Sequence, residues 1–380
     1  MEPRDRASPP TQTAQTLGAS VPSSASSLRH AVFVVQAADG QTQARYDQIT
    51  AEEPLEIRVH AEWQRAEDAV GSLSPLGASA IAAGRAEERT VSITLRTPQG
   101  RLASADSKDA DSKDAEAKDA GAADDLGDAG SPWDAGARAD RELAVGYLFS
   151  EGLLSCRHDV DAMSRPDPNV VVVRLRAGLR PPWHSLDRFG VTSSACGLCG
   201  KRSLDALSAD RAPPADLRSS PPDLPPWTAQ DIAALPQKLA AAQPIFARTG
   251  GLHAAALFDW QGALVAVRED IGRHNAVDKL IGSRLLSQDD PQAPLRLQRH
   301  VLLVSGRAGF ELVQKARMAG LPLFVAVGAP SSLAVRLAQE AGMTLVAFCR
   351  GGQFNVYSGP DRLRLAAARS DDRPKPHESS

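Results

Sequence analysis

The sequence contains no run of about 18 apolar residues, so no transmembrane helix is expected. It has no excess of one charge. Lys and Arg number 43 against 46 Asp and Glu, a net charge of -3, where a general nucleic-acid binder would show a basic surplus. The first twenty residues carry acids early and no apolar stretch, so a secretory leader is not expected. Cysteine is scarce, at four in 380 residues, which argues against a disulfide framework and fits a reducing, cytoplasmic setting.

Two of those four cysteines stand three apart. Cys196-Gly197-Leu198-Cys199 lies in the segment GVTSSACGLCGK, where small and hydroxyl residues surround the pair. The composition predicts accessible thiols on a loop. A zinc site needs four ligands, usually as two close pairs, but Cys156 and Cys349 are isolated, so no metal site is expected. A thioredoxin-like pair would open a helix after an early strand, and Ala195 stands where an aromatic is usual. A zinc deaminase would combine H-x-E with this pair. His60-Ala61-Glu62 supplies the first half, but far upstream, and Ala195 replaces the expected Pro. A fourth reading is sulfur relay, in which an exposed thiolate accepts and passes on a sulfur atom.

The rest of the chain divides by composition. Residues 1–29 are rich in Ser, Thr, Pro and Ala and read as a disordered tail. Residues 30–185 read as an α+β domain with inserts at 61–90 and 99–139, the second carrying the repeat ADSKD-ADSKD-AEAKD. Its strands are expected at 31–36, 55–60, 91–96 and 169–176, with a helix after an Asp140 cap. Residues 186–227 hold the cysteine loop and a Pro-rich linker. Residues 228–363 read as an α/β domain and 364–380 as a polar, disordered tail. Thr228 is expected to cap a helix that Pro236 breaks or kinks. Strands at 254–258 and 263–267 flank a tight turn. Strands at 300–304, 323–327 and 344–348 then alternate with helices at 310–319 and 332–341, which predicts parallel pairing, and 354–357 could add an edge strand.

In such sheets ligands bind beyond the carboxyl ends of the strands. Three loops occupy that place: Ser305-Gly306-Arg307-Ala308-Gly309, Gly328 to Ser332, and Cys349-Arg350-Gly351-Gly352-Gln353. Small residues permit close approach, and Arg307 and Arg350 suit phosphate. Ordinary turn chemistry is the competing account. The run Glu269 to Lys279 is dense in charge and carries Arg273 and His274. His274 and Asp278 share one helix face, and Asp270 could cap the helix and orient His274. It reads either as a polar site facing the loops or as a helix start satisfied by its own charges. His253 before its strand reads as structural.

ACGLCG, TGGLHAAALFD, EDIGRHNAVDKLIG, SGRAGFELVQKA and AFCRGGQFNVYS, in that order, resemble the FdhD family of formate dehydrogenase accessory sulfurtransferases, and ELAVGYLFSEGLL resembles its N-terminal domain. The resemblance covers most of 31–363. It implies a cytidine-deaminase-like α/β/α C-terminal domain beside a smaller α+β domain, and a homodimer without nucleic-acid or membrane partners. It implies that sulfur passes from an IscS-like cysteine desulfurase to the molybdenum (or tungsten) bis(molybdopterin guanine dinucleotide) cofactor of formate dehydrogenase. That cofactor is substrate here, and no tightly held cofactor is implied. The persulfide carrier falls on Cys196 with Cys199 as companion, and the cofactor segment on Phe348 to Gln353. Ala195 and Gln353 depart from residues common in the family at those positions. A chaperone that binds and inserts the cofactor without carrying sulfur is the alternative.

Overall fold

The computed structural model describes residues 29–38, 41–63, 85–98, 135–179, 181, 217–218 and 224–365. Among them are two main sheets. The first has the order β4-β3-β6-β5, built from β3 (Glu53–Trp63), β4 (Arg85–Arg96), β5 (Val160–Asp167) and β6 (Val170–Leu175). Strands β3 and β6 are parallel, and the other pairs antiparallel. A separate hairpin joins β1 (Arg29–Ala38) to β2 (Gln41–Thr50). Strand β2 was not expected, and β3 and β4 reach into the span read as the first insert.

The second sheet positions the candidate site. Its order is β13-β12-β11-β10-β8-β9. The strands are β8 (His253–Asp259), β9 (Leu264–Asp270), β10 (His300–Val304), β11 (Leu323–Ala326), β12 (Thr344–Arg350) and β13 (Gln353–Ser358). Strands β10, β11 and β12 pair in parallel, as their alternation with helices predicted, and β13 takes the expected edge. The turn from β8 to β9 follows from its residues: Asp259 Oδ1 accepts from the amides of Gln261 and Ala263, and Gly262 takes a φ of 80°.

Both faces of this sheet are covered, which is why its strands read as unbroken apolar runs. Leu257, Leu302, Phe324 and Leu345 face one core. It is shared with α1 (Ala135–Ser150), α3 (Arg273–Leu286), α4 (Phe310–Met318) and α5 (Ser332–Ala341) and with the inner face of the first sheet. Phe258, Val301, Leu303, Val325 and Val346 face the other, against Ile232, Leu235 and Leu239 of α2 (Ala229–Ala241). Each such side chain contributes about 1.5–3 kcal/mol on leaving water. Short strands β7 (Trp227–Thr228) and β14 (Leu363–Arg364) pair beside it. No helix among the described residues is long and apolar enough to cross a membrane.

Two local expectations are corrected. The helix placed after an Asp140 cap begins at Ala135, and Asp140 lies buried inside it, accepting from Arg96 Nε at 2.7 Å and Nη2 at 3.1 Å. Pro236 does not break α2, which runs through it from the Thr228–Asp231 capping box. Proline lacks the amide that would bond Ile232 O, four residues back. The thiol of Cys349 donates to that carbonyl instead, at 3.4 Å.

Helices α1 and α3 cross backbone to backbone. A Cβ on Gly146 would fall 1.8 Å from Asp278 O, and one on Gly282 1.9 Å from Glu142 O. Around this crossing the two sheets share a buried polar junction. Asp270 Oδ2 accepts from Lys279 Nζ at 2.6 Å and from Thr97 N at 3.1 Å, and Oδ1 from Gly272 N and Asn275 Nδ2. Lys279 Nζ also donates to Thr97 O, and Asn275 Nδ2 to Leu95 O.

Candidate functional site at the strand ends

The three loops beyond β10, β11 and β12 form one layer. Gly328 N donates to Gly306 O at 2.9 Å, Ala308 N to Ala329 O and Ser331 N to Ala308 O at 3.0 Å each, and Phe348 N to Gly328 O at 3.1 Å. Glycine at 328 follows from this closeness, since a Cβ there would sit 3.0 Å from Gly306 O. Ser331 also caps α5, its hydroxyl accepting from Ala334 N at 3.2 Å.

Basic side chains gather at the first loop. A Cβ on Gly306 would lie 3.3 Å from His253 Nδ1 and 3.9 Å from Arg273 Cδ. Burial, then the neighbouring Arg273 and His274, and also Arg307, hold the His253 imidazole below its usual range, against the pull of Asp270. His253, read as structural, therefore belongs to the cluster. Arg307 itself is exposed on the loop. Ser305 secures the loop's start, its Oγ accepting from Ala254 N at 2.8 Å.

Helix α3 delivers Arg273 and His274 in its first turn, after Gly272. Asp270 does not orient His274 as expected, because its two oxygens are occupied in the buried junction. The partner of His274 is Glu311, with Nε2 and Oε2 3.0 Å apart. One helical turn further, Asp278 accepts from Lys315 Nζ at 2.7 and 2.8 Å and from Ser150 Oγ at 2.9 Å. The face shared by His274 and Asp278 thus meets a matching face of α4, Glu311 and Lys315. That second i,i+4 pair is legible in FELVQK as a charge pair on one helix face.

The third loop divides. Arg350, Gly351, Gly352 and Gln353 are exposed. Gly351 and Gly352 have φ of 60° and 78° between the paired Arg350 and Gln353, a two-residue hairpin turn that only residues tolerant of positive φ make readily. Turn geometry therefore accounts for both glycines. Phe348 has φ 54°, a left-handed conformation rare for a bulky residue, within a register shift between Ala347 and Arg350. The shift puts Ala347 and Phe348 against the same core and turns Cys349 to the α2 side. Cys349 is fully buried, and burial pushes its thiol up to about 11. As a site residue it can offer backbone only.

Cys196 and Cys199 lie outside the described residues, as do the 99–134 part of the second insert and all of the two tails except Arg29, which opens β1, and residues 364–365, of which Arg364 closes β14. His60 and Glu62 neighbour each other on one face of β3, Nε2 to Oε1 at 3.1 Å.

A family model described as the FdhD/NarQ family matches residues 135–364, which span both the helix crossing and the strand-end layer. The chain belongs to the FdhD/NarQ family. Among FdhD relatives, the protein called sulfur carrier protein FdhD in Streptomyces coelicolor is 42% identical over 345 residues, covering 88% of this chain and 95% of its own. The one of that name in Mycobacterium tuberculosis is 48% identical over 238 residues, covering 59% and 82%. A crystal structure described as that of a formate dehydrogenase accessory protein from Desulfotalea psychrophila matches with a TM-score of 0.55 at 19% identity, over 89% of this chain and 100% of that one. That likeness establishes a shared fold.

Proposed function

We propose that this chain is a sulfur carrier for formate dehydrogenase. In this reading Cys196, with Cys199 as companion, takes sulfur from a cysteine desulfurase as a persulfide. The Cys196 thiolate attacks the outer sulfur of the donor's persulfide. One S–S bond forms, the donor's S–S bond breaks, and the donor leaves as a thiolate. The recipient is the molybdenum bis(molybdopterin guanine dinucleotide) cofactor; cleavage of the Cys196 S–S bond would return Cys196 to a thiolate, and the transferred sulfur would reach the sulfide level with two electrons supplied by the reduced metal of that substrate.

The observation that carries the cofactor half is the approach of His253 and Arg273 to Gly306, where no side chain stands, with His274 and Arg307 near enough to act on His253. Guanine-dinucleotide phosphates are anions of the right class for bidentate arginine and for bare backbone amides. The exposed hairpin from Arg350 to Gln353 would add contacts at the rim. The doubly covered six-stranded sheet supports the deaminase-like α/β/α reading, and two copies form the working unit.

Three measurements test this together. The protein is incubated with a desulfurase, cysteine and labelled sulfur, alongside Cys196→Ala and Cys199→Ala. Label on wild type no greater than on both variants removes the relay. Guanosine diphosphate titrated into wild type and Arg307→Ala tests the anion site, and equal affinities would count against it. Loss of label with retained activation of the dehydrogenase would favour the chaperone alternative.

A further inference from the structure

The strand-end cluster contains an acidic side chain that the reading above does not use. Glu311 stands in the first turn of α4, two residues after the loop that carries Arg307, and reaches across to His274 on α3. The two side chains are 14% and 13% exposed, so little water competes for their contact. They do not stand alone. The Asp278–Lys315 pair lies one turn along the same two helices and is further held by Ser150 of α1. Burial pushes the Asp278 carboxyl up, against the pull of Lys315, Ser150 and His274. The ladder of two pairs holds the start of α3 against the start of α4, and with them the loops that present Arg273 and Arg307.

A carboxylate beside a site for anions opposes the ligand's charge, so Glu311 needs a reason to be there. Its contact supplies one. The carboxylate lies on Nε2, so in the neutral imidazole Nε2 carries the proton and Nδ1 is the other ring atom left to act. We propose that Glu311 is a positioning residue, which holds His274 in the Nε2–H tautomer and in one orientation at the nucleotide-phosphate site. This rests on the anion-binding half of the proposed function.

The test uses the full chain with Glu311→Gln and Glu311→Ala, and guanosine diphosphate as probe. The glutamine oxygen can still accept from Nε2 but carries no charge, whereas alanine removes the contact. Nitrogen chemical shifts of the His274 ring report the tautomer without ligand. The Nε2–H form is expected in wild type and Glu311→Gln, and a mixture in Glu311→Ala. Glu311→Gln should bind within about threefold of wild type or more tightly, and Glu311→Ala about tenfold more weakly. Tenfold corresponds to roughly 1.4 kcal/mol, near the upper end of the ~0.5–1.5 kcal/mol net contribution of one hydrogen bond. Thermal melting of each variant shows whether the fold persists. Wild-type binding matched by Glu311→Ala with an unchanged tautomer overturns the Glu311 role alone. No binding by wild type, with the tautomer as expected, sinks the anion site and the proposal with it.

Discussion

Replacing Lys279 by methionine tests how the two sheets are held together. Lys279 and Asp270 are both fully buried, with Nζ and Oδ2 2.6 Å apart. Methionine approximates the lysine stem, so packing changes little, and the loss is mainly electrostatic. Asp270 would keep Thr97 N, Gly272 N and Asn275 Nδ2 as donors but no cation, and Thr97 O would lose the ammonium that reaches it at 3.1 Å. Breaking one side of a buried pair costs about 3–5 kcal/mol. A stranded carbonyl adds roughly 1 kcal/mol at the low end of its range. The expected loss is about 4–6 kcal/mol, a large part of the ~5–15 kcal/mol by which a folded protein is stable. Urea unfolding followed by far-UV dichroism measures it, alongside Lys279→Met with Asp270→Asn. The double variant removes both charges and should recover at least half the loss, since buried pairs replaced together are often neutral. A single-variant loss under about 1 kcal/mol, or a double variant less stable than the single, would refute the argument that this pair needs both charges.

Other perturbations follow from the same structure. Gly146→Ala forces α1 away from α3, because its Cβ has no space beside Asp278 O, and a melting temperature unchanged from wild type would refute the close crossing. Cys349 should resist iodoacetamide at pH 8 in the folded protein and react only on unfolding; fast native-state labelling, read by peptide mass, would contradict its burial. Burial lowers the folded-state affinity of His253 and His300 for protons, aided at His300 by Arg284. The unfolded chain therefore takes up protons first, and their contribution to stability, complete above about pH 6.5, falls as pH drops below it. Burial raises several carboxyls, among them Glu269 and Asp278, which pull the other way. The readout is accordingly wild type minus His300→Gln between pH 7 and 5.5, and a difference that grows in favour of wild type would contradict the sign.

Much of the second sheet was legible because each signal was local. Strands β10 to β12 are short apolar runs that alternate with helices, and Ser331 and Thr228 cap as their types predict. Strand β2 was illegible, since QTQARYDQIT has no apolar alternation and its identity comes from pairing with β1. The course of α2 through Pro236 depends on Cys349, 113 positions away in sequence, which no local pattern reports. The same holds for the site. Arg273, His274 and Arg307 stood out by type and place, but the Asp270 contacts and the match of Glu311 to His274 required the helices to be set side by side.

The left-handed turn of Phe348 bears on the fidelity of sulfur traffic. Side chains alternate along a strand, so regular pairing would have sent residue 349 to the opposite face of the sheet from the one it occupies. The irregularity at 348 sends the Cys349 sulfur into the α2 packing and occupies its hydrogen with Ile232 O. In a protein proposed to hand over single sulfur atoms, a reactive thiol in the loop expected to meet the recipient would be a competing acceptor. One residue of backbone geometry keeps this cysteine from intercepting the cargo.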